Sequence, residues 1–253
     1  MEAERIAPLD YWSDADEEVE AWSPGPSSPS LLTALRSIET IAVEPAESTS
    51  SYAAVWKRVV DIALGIPLLV AALPIIVVAA LAVAATSRGP VFYKTRRLGV
   101  DGRDFTMWKI RSMVKNADAV LAAWRTSNPA LAAEYEANFK LKNDPRITSV
   151  GRFIRRTSID ELPQLWNVVR GDMSLVGPRP YYRSELEPHP GAFESIIKVR
   201  PGVTGPWQVA GRNSLTPVER MFIDRTYVNT CCFRTDFELL LKTVSTLLKP
   251  NGY

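Results

Sequence analysis

The chain has very little cysteine and histidine. Only two of its 253 residues are cysteine, Cys231 and Cys232, and they are adjacent. Vicinal cysteines rarely pair with each other, so no disulfide framework is expected, and a reducing compartment fits. His189 is the only histidine, which argues against a Ser-His-Asp triad and against a multi-histidine metal site. If the chain is an enzyme, its catalytic groups are expected to be carboxylates working with Arg or Lys, with any metal held by oxygen ligands.

Charge is missing altogether from one long segment. Residues 62–87 contain no Asp, Glu, Lys or Arg, and this run is long enough to cross a bilayer as a helix. Basic residues flank it on both sides, and both flanks obey the positive-inside rule only if the chain enters and leaves on the same side. Pro67 and Pro74 interrupt the run. A break at Pro74 gives two arms of about 12 residues, each roughly 18 Å long, so a re-entrant helical hairpin is favoured over a straight span.

The remaining charge is divided unevenly. Residues 1–55 carry 11 acidic and two basic side chains, a balance of −9; subtraction from the totals of 28 and 30 leaves 17 acidic and 28 basic residues for 56–253, a balance of +11. We expect residues 1–54 to be a disordered acidic tail, 55–88 a membrane anchor and 89–253 the catalytic domain. A basic body suits a phosphate-rich partner, but ordinary surface charge explains the balance equally well.

The pattern after the anchor predicts a mostly helical α+β domain with a short β-hairpin. Strands are expected after the turn at 89–91 and over 105–110, joined by a turn at 100–103. Helices are expected over 116–126, 129–141 and 149–156. Near the end of the chain, apolar residues recur at helical spacing, which favours a face buried in the core, with a helix at the membrane surface as the alternative. These residues are Phe237, Leu240, Leu241, Val244, Leu247 and Leu248.

Two adjacent carboxylates open a predicted helix. Ser158 and Glu161 have the spacing of a capping box, and this local pattern favours a capping role for Glu161. Asp160 is not needed for the box. In the first helical turn, the helix dipole is expected to keep its carboxylate ionised, and free N–H groups there favour phosphate binding. Such a carboxylate can hold a divalent metal or attack phosphorus.

Arginines in loops rich in proline and glycine surround this pair in the sequence. Their planar forks suit phosphate oxygens, which makes a phosphate site a better interpretation than scattered surface charge. No glycine-rich phosphate loop of the P-loop kinase type is present. The arginines concerned are Arg146, Arg152, Arg155, Arg156, Arg170, Arg179, Arg200 and Arg212.

Six motifs then occur in order, and the match that they carry extends from about residue 55 to the end of the chain. The chain resembles the bacterial sugar transferase family, the monotopic polyprenyl-phosphate phosphoglycosyl transferases, in their short form. The segments that carry the resemblance are KRVVD at 57–61, KIRSM at 109–113, NDPRIT at 143–148, SIDELPQ at 158–164, NVVRGDMSLVGPRP at 167–180 and RPGVTG at 200–205.

The resemblance implies a re-entrant membrane helix-hairpin packed on a small cytoplasmic catalytic domain, at the inner membrane of a bacterium. It implies that Asp160, with Mg²⁺, attacks the sugar-linked phosphate of a UDP-sugar, releasing UMP. Undecaprenyl phosphate then accepts the sugar phosphate, as the first membrane step of exopolysaccharide or related glycan synthesis. By the same analogy, Glu161 assists as a base or near the metal, which outweighs its capping role. Phosphate contacts are expected from Arg155, Arg179, Arg200, Arg212, Lys109 and Arg111.

One departure weakens the re-entrant prediction. Family members often carry Ser-Pro at the helix break, where the hydroxyl can bond a freed carbonyl, whereas this chain has Leu73-Pro74. A homodimer is compatible with the resemblance, and a nucleic-acid partner is not expected. The competing interpretation is a membrane-attached scaffold or regulator that keeps the fold without turnover; the intact Asp160–Glu161 pair argues against it.

Overall fold

The computed structural model describes residues 52–128, 132, 135, 141, 144–210 and 215–248. The predicted tail therefore lies almost entirely outside the described residues, as does most of the predicted helix at 129–141. The described chain forms two compact units: residues 52–67, 95–107 and 165–248 in the first, and 68–94 and 108–164 in the second.

The uncharged segment forms one helix, α1, over Lys57–Thr86. Among the described residues, α1 is the helix long and apolar enough to cross a membrane, and only 22% of its most apolar stretch is buried. The buried residues Ala72, Ile76, Ala79 and Val83 form a narrow stripe, while most of the other apolar side chains are exposed. So much exposed apolar surface fits lipid as the surrounding medium.

The predicted division of this segment at Pro74 is not present. Helix α1 continues through Pro67 and Pro74 without interruption. A proline removes one helical hydrogen bond, and that loss can kink a helix without ending it. The course of α1 through a bilayer, re-entrant or spanning, stays a prediction.

The start of α1 is fixed to the first unit by polar side chains. Lys57 is buried and donates hydrogen bonds to Asp236 and to the Tyr227 hydroxyl. Arg58 donates to the carbonyls of Val168 and Val169, at 2.6 and 2.8 Å. These carbonyls belong to the last turn of a helix, where carbonyl groups lack the usual helical partner; the Val168 carbonyl also accepts from Gly171 N–H at 3.0 Å, and Arg58 adds the side-chain bonds.

A two-stranded hairpin follows α1, as predicted. Strand β1 covers Phe92–Leu98 and pairs with β2, Asp104–Ile110. The turn between them contains Asp101 and Gly102 at positive φ, and Gly99 N–H donates to the Arg103 carbonyl at 2.8 Å.

The rest of the described chain is mostly helical. Helix α2 matches the prediction to within one residue, and α3 matches it at both ends. The elements are α2 Ala117–Ser127, α3 Ser149–Arg156, α4 Gln164–Arg170, β3 Ser174–Val176, α5 Arg183–Leu186, α6 Pro190–Ile196, β4 Gly202–Thr204, α7 Pro206–Ala210, α8 Pro217–Thr230 and α9 Phe233–Leu248.

Strands β3 and β4 form a second, parallel pair that the sequence did not predict. Ser174 lies opposite Gly202, and Val176 lies opposite Thr204. A Cβ added at Gly202 would lie 2.2 Å from the backbone nitrogen of Gly177, so only glycine allows this approach. Three-residue strands are too short to show an alternating pattern.

The C-terminal helix α9 was predicted to bury an apolar face, and that prediction is wrong for three of its members. Phe237, Leu241 and Val244 are exposed by 52%, 56% and 56%. The helix instead packs through Leu239 and Asp236, which are 1% and 4% exposed. These three apolar side chains lie about 80° to 160° around the helix from Asp236 and Leu239, and spacing along the chain does not reveal which side packs against the protein.

Candidate active site

The Asp160–Glu161 pair lies in a tight turn of the second unit rather than at the start of a regular helix. Helix α3 ends at Arg156, and a 3₁₀ turn follows over Ile159–Glu161. Ser158 precedes that turn in the left-handed conformation, with φ 57°. Its side chain makes no capping hydrogen bond. The predicted capping box is therefore wrong, because a capping residue normally has extended backbone.

Asp160 is nearly enclosed, with 8% of its surface exposed. Burial, followed by the neighbouring charge of Glu161, raises the pKa of Asp160 to about 6, although Lys109 and Arg155 lower it. The sequence analysis predicted that the positive end of a helix dipole keeps this carboxylate ionised. Burial instead outweighs the favourable charges, which leaves a carboxylate that is ionised at neutral pH and more basic than usual.

Glu161 pairs with one of the predicted phosphate-binding residues. Its Oε1 accepts a hydrogen bond from Lys109 Nζ at 2.7 Å, and the two side chains are 41% and 26% exposed. An ion pair this accessible adds little stability. The pair does hold the Lys109 ammonium group beside Asp160 and Glu161, where it can bind a phosphate.

Arg155 is held in a fixed orientation by a serine that the sequence interpretation did not single out. Its Nε donates to Ser112 Oγ at 2.7 Å, and Ser112 is 7% exposed. A Cβ added at Gly151 would lie 1.9 Å from the Ser112 carbonyl oxygen, so α3 lies directly against this segment. Thr148 Oγ1 caps α3 by accepting from Gly151 N–H at 2.9 Å.

A buried ion pair supports the same region. Arg146 binds Asp144 through two nitrogens, with Nε–Oδ1 at 2.9 Å and Nη2–Oδ2 at 2.6 Å. Burial alone would raise the pKa of Asp144, but hydrogen bonds from Arg146 lower it below its usual value. The Arg146 carbonyl accepts from Val114 N–H at 2.9 Å, so this pair braces the loop that carries Ser112. In the sequence, the opposite charges of Asp144 and Arg146 on either side of Pro145 were the feature from which this ion pair could have been predicted.

Arg111 has backbone partners in the structure. Its Nη1 donates to the Arg88 carbonyl at 2.8 Å and its Nη2 to the Ser87 carbonyl at 2.7 Å. These groups immediately follow α1, so Arg111 binds the chain where it leaves that helix. A phosphate contact for Arg111 stays a prediction.

Arg179 and Arg200 belong to the first unit. Arg179 Nη2 donates to Glu185 Oε1 at 3.2 Å, and its guanidinium lies 5.5 Å from the Trp207 ring centre. Its backbone N–H donates to the Asp224 carboxylate at 2.9 Å, and burial raises the pKa of Asp224 to about 7.

Arg200 Nε donates to the Gly171 carbonyl at 2.9 Å. Arg212 lies outside the described residues. The second unit thus brings together Asp160, Glu161, Lys109 and Arg155, while the phosphate roles of Arg179, Arg200 and Arg212 stay predictions.

The carboxylate pair suits a magnesium ion that shares its ligands with a substrate. Among the described residues, no group of three or more His, Cys, Asp and Glu side chains is placed to hold a metal. Magnesium usually binds one or two protein carboxylates together with water and substrate phosphates. The mutual repulsion of Asp160 and Glu161, which raises the pKa of Asp160, is what a divalent cation would relieve.

Comparison with known proteins decides the family. Residues 52–250 match the bacterial sugar transferase family. The chain belongs to this family.

Among its relatives, the undecaprenyl-phosphate galactose phosphotransferase of Salmonella typhimurium is 44% identical over 196 residues, which are 78% of this chain and 41% of that protein. The exopolysaccharide production protein ExoY of Sinorhizobium fredii is 38% identical over 214 residues, 85% of this chain and 92% of that protein. The UDP-glucose:undecaprenyl-phosphate glucose-1-phosphate transferase of Klebsiella pneumoniae is 36% identical over 200 residues, 75% of this chain and 39% of that protein. The chain thus spans about two fifths of the Salmonella and Klebsiella proteins and most of ExoY.

Proposed function

We propose that this protein transfers a hexose-1-phosphate from a UDP-sugar to undecaprenyl phosphate, in the synthesis of an exopolysaccharide or a related glycan. The observation that carries the proposal is the placement of Asp160. A buried carboxylate with a pKa of about 6, acted on by the charges of Lys109 and Arg155, is suited to attack a phosphate that those cations bind. The names of the relatives support the donor and acceptor classes.

The reaction is proposed to proceed in two displacements. An Asp160 carboxylate oxygen attacks the phosphorus attached to the sugar, an acyl-phosphate bond forms, and the bond to UMP breaks, with the electron pair leaving on UMP. A phosphate oxygen of undecaprenyl phosphate then attacks the same phosphorus. Asp160 is released as a carboxylate, and the product is undecaprenyl-diphosphate-sugar.

Each neighbouring side chain has a role in this scheme. Arg155, oriented by Ser112, presents its remaining guanidinium nitrogens to phosphate oxygens. Lys109 offsets phosphate charge next to Glu161. Glu161 assists as a base or beside the metal. A bound Mg²⁺, held by Asp160, would neutralise the transferring phosphates.

The exposed apolar surface of α1 supports membrane attachment, which the lipid acceptor requires. We propose the cytoplasmic face of the bacterial inner membrane, where a soluble nucleotide-sugar and a lipid-linked phosphate meet. The basic residues on both flanks of α1 favour this side.

Purified full-length protein tests the proposal. UMP release from a UDP-sugar should require both undecaprenyl phosphate and magnesium for sustained turnover. Mass spectrometry of enzyme trapped with donor alone should find a sugar-phosphate adduct on Asp160. Binding of donor without UMP release would support the scaffold interpretation instead, and product formation with no adduct at Asp160 would overturn the two-step route. A panel of UDP-sugars, beginning with UDP-galactose and UDP-glucose, would identify the donor.

A further inference from the structure

A polar cavity of about 180 Å³ lies in the first unit at the start of α1. Its charged lining comes from the membrane helix and from the loop before β4. The charged residues that line it are Lys57, Asp61, Lys198 and Arg200. None of these four belongs to the Asp160 group in the second unit.

One residue that lines the cavity, Asp61, has an unsatisfied acceptor. Asp61 is 2% exposed, and its Oδ1 accepts from Ser174 Oγ at 2.9 Å and from Leu175 N–H at 2.8 Å. Its Oδ2 is buried and has no hydrogen-bond partner among the described residues. A buried acceptor without a partner is costly, so a group that donates a hydrogen bond is expected in the cavity.

The cavity also offers donors. Among the described residues, Arg200 makes one side-chain hydrogen bond, from Nε to the Gly171 carbonyl, so its two terminal nitrogens are offered to a ligand. Lys198 is exposed at the same cavity. Lys57 already donates hydrogen bonds to Asp236 and to the Tyr227 hydroxyl. These donors favour the oxygens of a phosphate.

The net charge of the lining residues and the volume of the cavity restrict which ligands can bind. With Lys57 neutralised by Asp236, the remaining charges of Lys198, Arg200 and Asp61 sum to +1. A phosphodiester with a neutral substituent, such as a glycerol headgroup, carries one negative charge and balances this sum, whereas an ethanolamine headgroup adds a positive charge that would lie beside Asp61. The volume equals that of about six water molecules at roughly 30 Å³ each, which is enough for a phosphate and a short polar substituent.

The position of the cavity indicates where the phosphate comes from. Asp61 is the last charged residue before the uncharged run at 62–87, so the cavity lies at the end of α1 where the apolar segment begins. We infer that this cavity binds the headgroup of a phospholipid that carries a hydrogen-bond donor beyond its phosphate. Lys198 and Arg200 bind the phosphodiester, and the hydroxyl of a glycerol headgroup or the ammonium of an ethanolamine headgroup donates to Asp61.

Lipid retention by the full-length protein tests this inference. Protein in mild detergent is incubated with phosphatidylglycerol, phosphatidylethanolamine or phosphatidylcholine and analysed by native mass spectrometry. Wild-type protein should retain the first two lipids and retain phosphatidylcholine weakly, because choline has no N–H or O–H donor. Lys198→Ala should reduce retention about tenfold, the effect of losing one charge-assisted contact.

The matched control is Lys115→Ala, which removes an exposed lysine from the other unit without touching the cavity. Equal retention by the two variants, or equal retention of all three lipids, would overturn the inference. Binding of inorganic phosphate by wild-type protein that retains no lipid would assign the cavity to a soluble phosphate, and would also overturn it. Because no turnover is measured, a failed transferase assay leaves this result unaffected.

Discussion

Asp160 combines the position expected of a nucleophile with a pKa raised by its own burial. A carboxylate that must be ionised to attack phosphorus loses activity when it is protonated. Since burial and Glu161 raise the pKa of Asp160 to about 6, activity should fall as the pH drops through about 6. Lys109 lowers this pKa, so its removal should move the fall to higher pH.

The pH dependence of kcat/KM for the donor measures this effect in wild-type protein, Lys109→Met and Lys115→Met. We expect kcat/KM to fall as the pH is lowered through about 6 in wild-type protein and in Lys115→Met. In Lys109→Met, the fall should occur at a higher pH. Superimposable profiles for all three proteins would show that Lys109 does not tune Asp160.

Replacing Asp160 should separate activity from stability. Asp160→Asn should lower turnover on the order of 10³-fold or more while leaving membrane insertion intact. The same change should stabilise the fold at pH 8, because it removes a buried charge. The pKa of Asp160 rises from 3.8 to about 6 on folding, so its charge costs on the order of 2–3 kcal/mol above pH 6.

The sign of this stability effect can be checked by thermal unfolding at several pH values. The cost of the charge develops as the pH rises from 3.8 through about 6, so the gain in Tm for Asp160→Asn should be full at pH 8 and shrink toward pH 4. A variant that is inactive and also less stable at pH 8 would contradict the burial argument. Wild-type activity in the variant would contradict the nucleophile assignment.

Glu161 provides a second test at the level of single residues. Glu161→Gln keeps the shape of the side chain but removes the charge that binds Lys109 and the base that the reaction is proposed to use. We expect a severe loss of kcat in the UMP-release assay. A mild defect, similar to that of Lys109→Met, would restrict Glu161 to holding Lys109.

Helix α1 connects the fold to the membrane. Its first turns are tied to the first unit by Lys57, Arg58 and Asp61, and its charge-free remainder exposes apolar side chains. The polar ties at one end explain why the KRVVD motif directly precedes the apolar run. They hold the first turns of the helix to the first unit.

The topology of α1 can be measured by labelling introduced cysteines. Trp56 and Tyr93 flank the helix and are 63% and 54% exposed, so cysteine at either position should react with a reagent that reaches it. In a background with Cys231 and Cys232 replaced by serine, a re-entrant course predicts that both sites react from the cytoplasmic side. Labelling of the two sites from opposite sides would show a full span.

The exposed stripe on α9 makes the alternative prediction, a helix at the membrane surface, open to test. Phe233 and Phe237 stack at 6.2 Å, and the Tyr52 ring, which lies just before α1, contacts Phe233 at 6.3 Å. A spin label at position 237 or 241 should be protected from an aqueous relaxation agent and accessible to oxygen in bilayers. A label at Thr126, an exposed polar position on helix α2, serves as the control. Equal accessibility at all three positions would show that α9 does not contact lipid.

At the scale of the whole molecule, the chain divides into two compact units that each hold part of the predicted chemistry. The second unit contains Asp160, Glu161, Lys109 and Arg155, and the first contains Arg179 and Arg200. The motifs of the family are thus distributed over both units.

The sequence alone determined the features that depend on neighbouring residues. The uncharged run specified α1, turn residues at 100–103 specified the hairpin, and local spacing specified α3 at both ends. The motifs also indicate the family. Hydrophobic length, turn chemistry and helix periodicity are local properties, so they can be read along the chain.

Only the tertiary structure decided the features that depend on distant residues. The left-handed conformation of Ser158 is incompatible with the predicted capping box. Enclosure by the fold raises the pKa of Asp160, and packing of α9 through Leu239 leaves Phe237 exposed. The partners of Arg111 are the carbonyls of Ser87 and Arg88, more than 20 residues away along the chain. Burial and hydrogen bonding between remote segments set these properties, and neither leaves a periodic signal in the sequence.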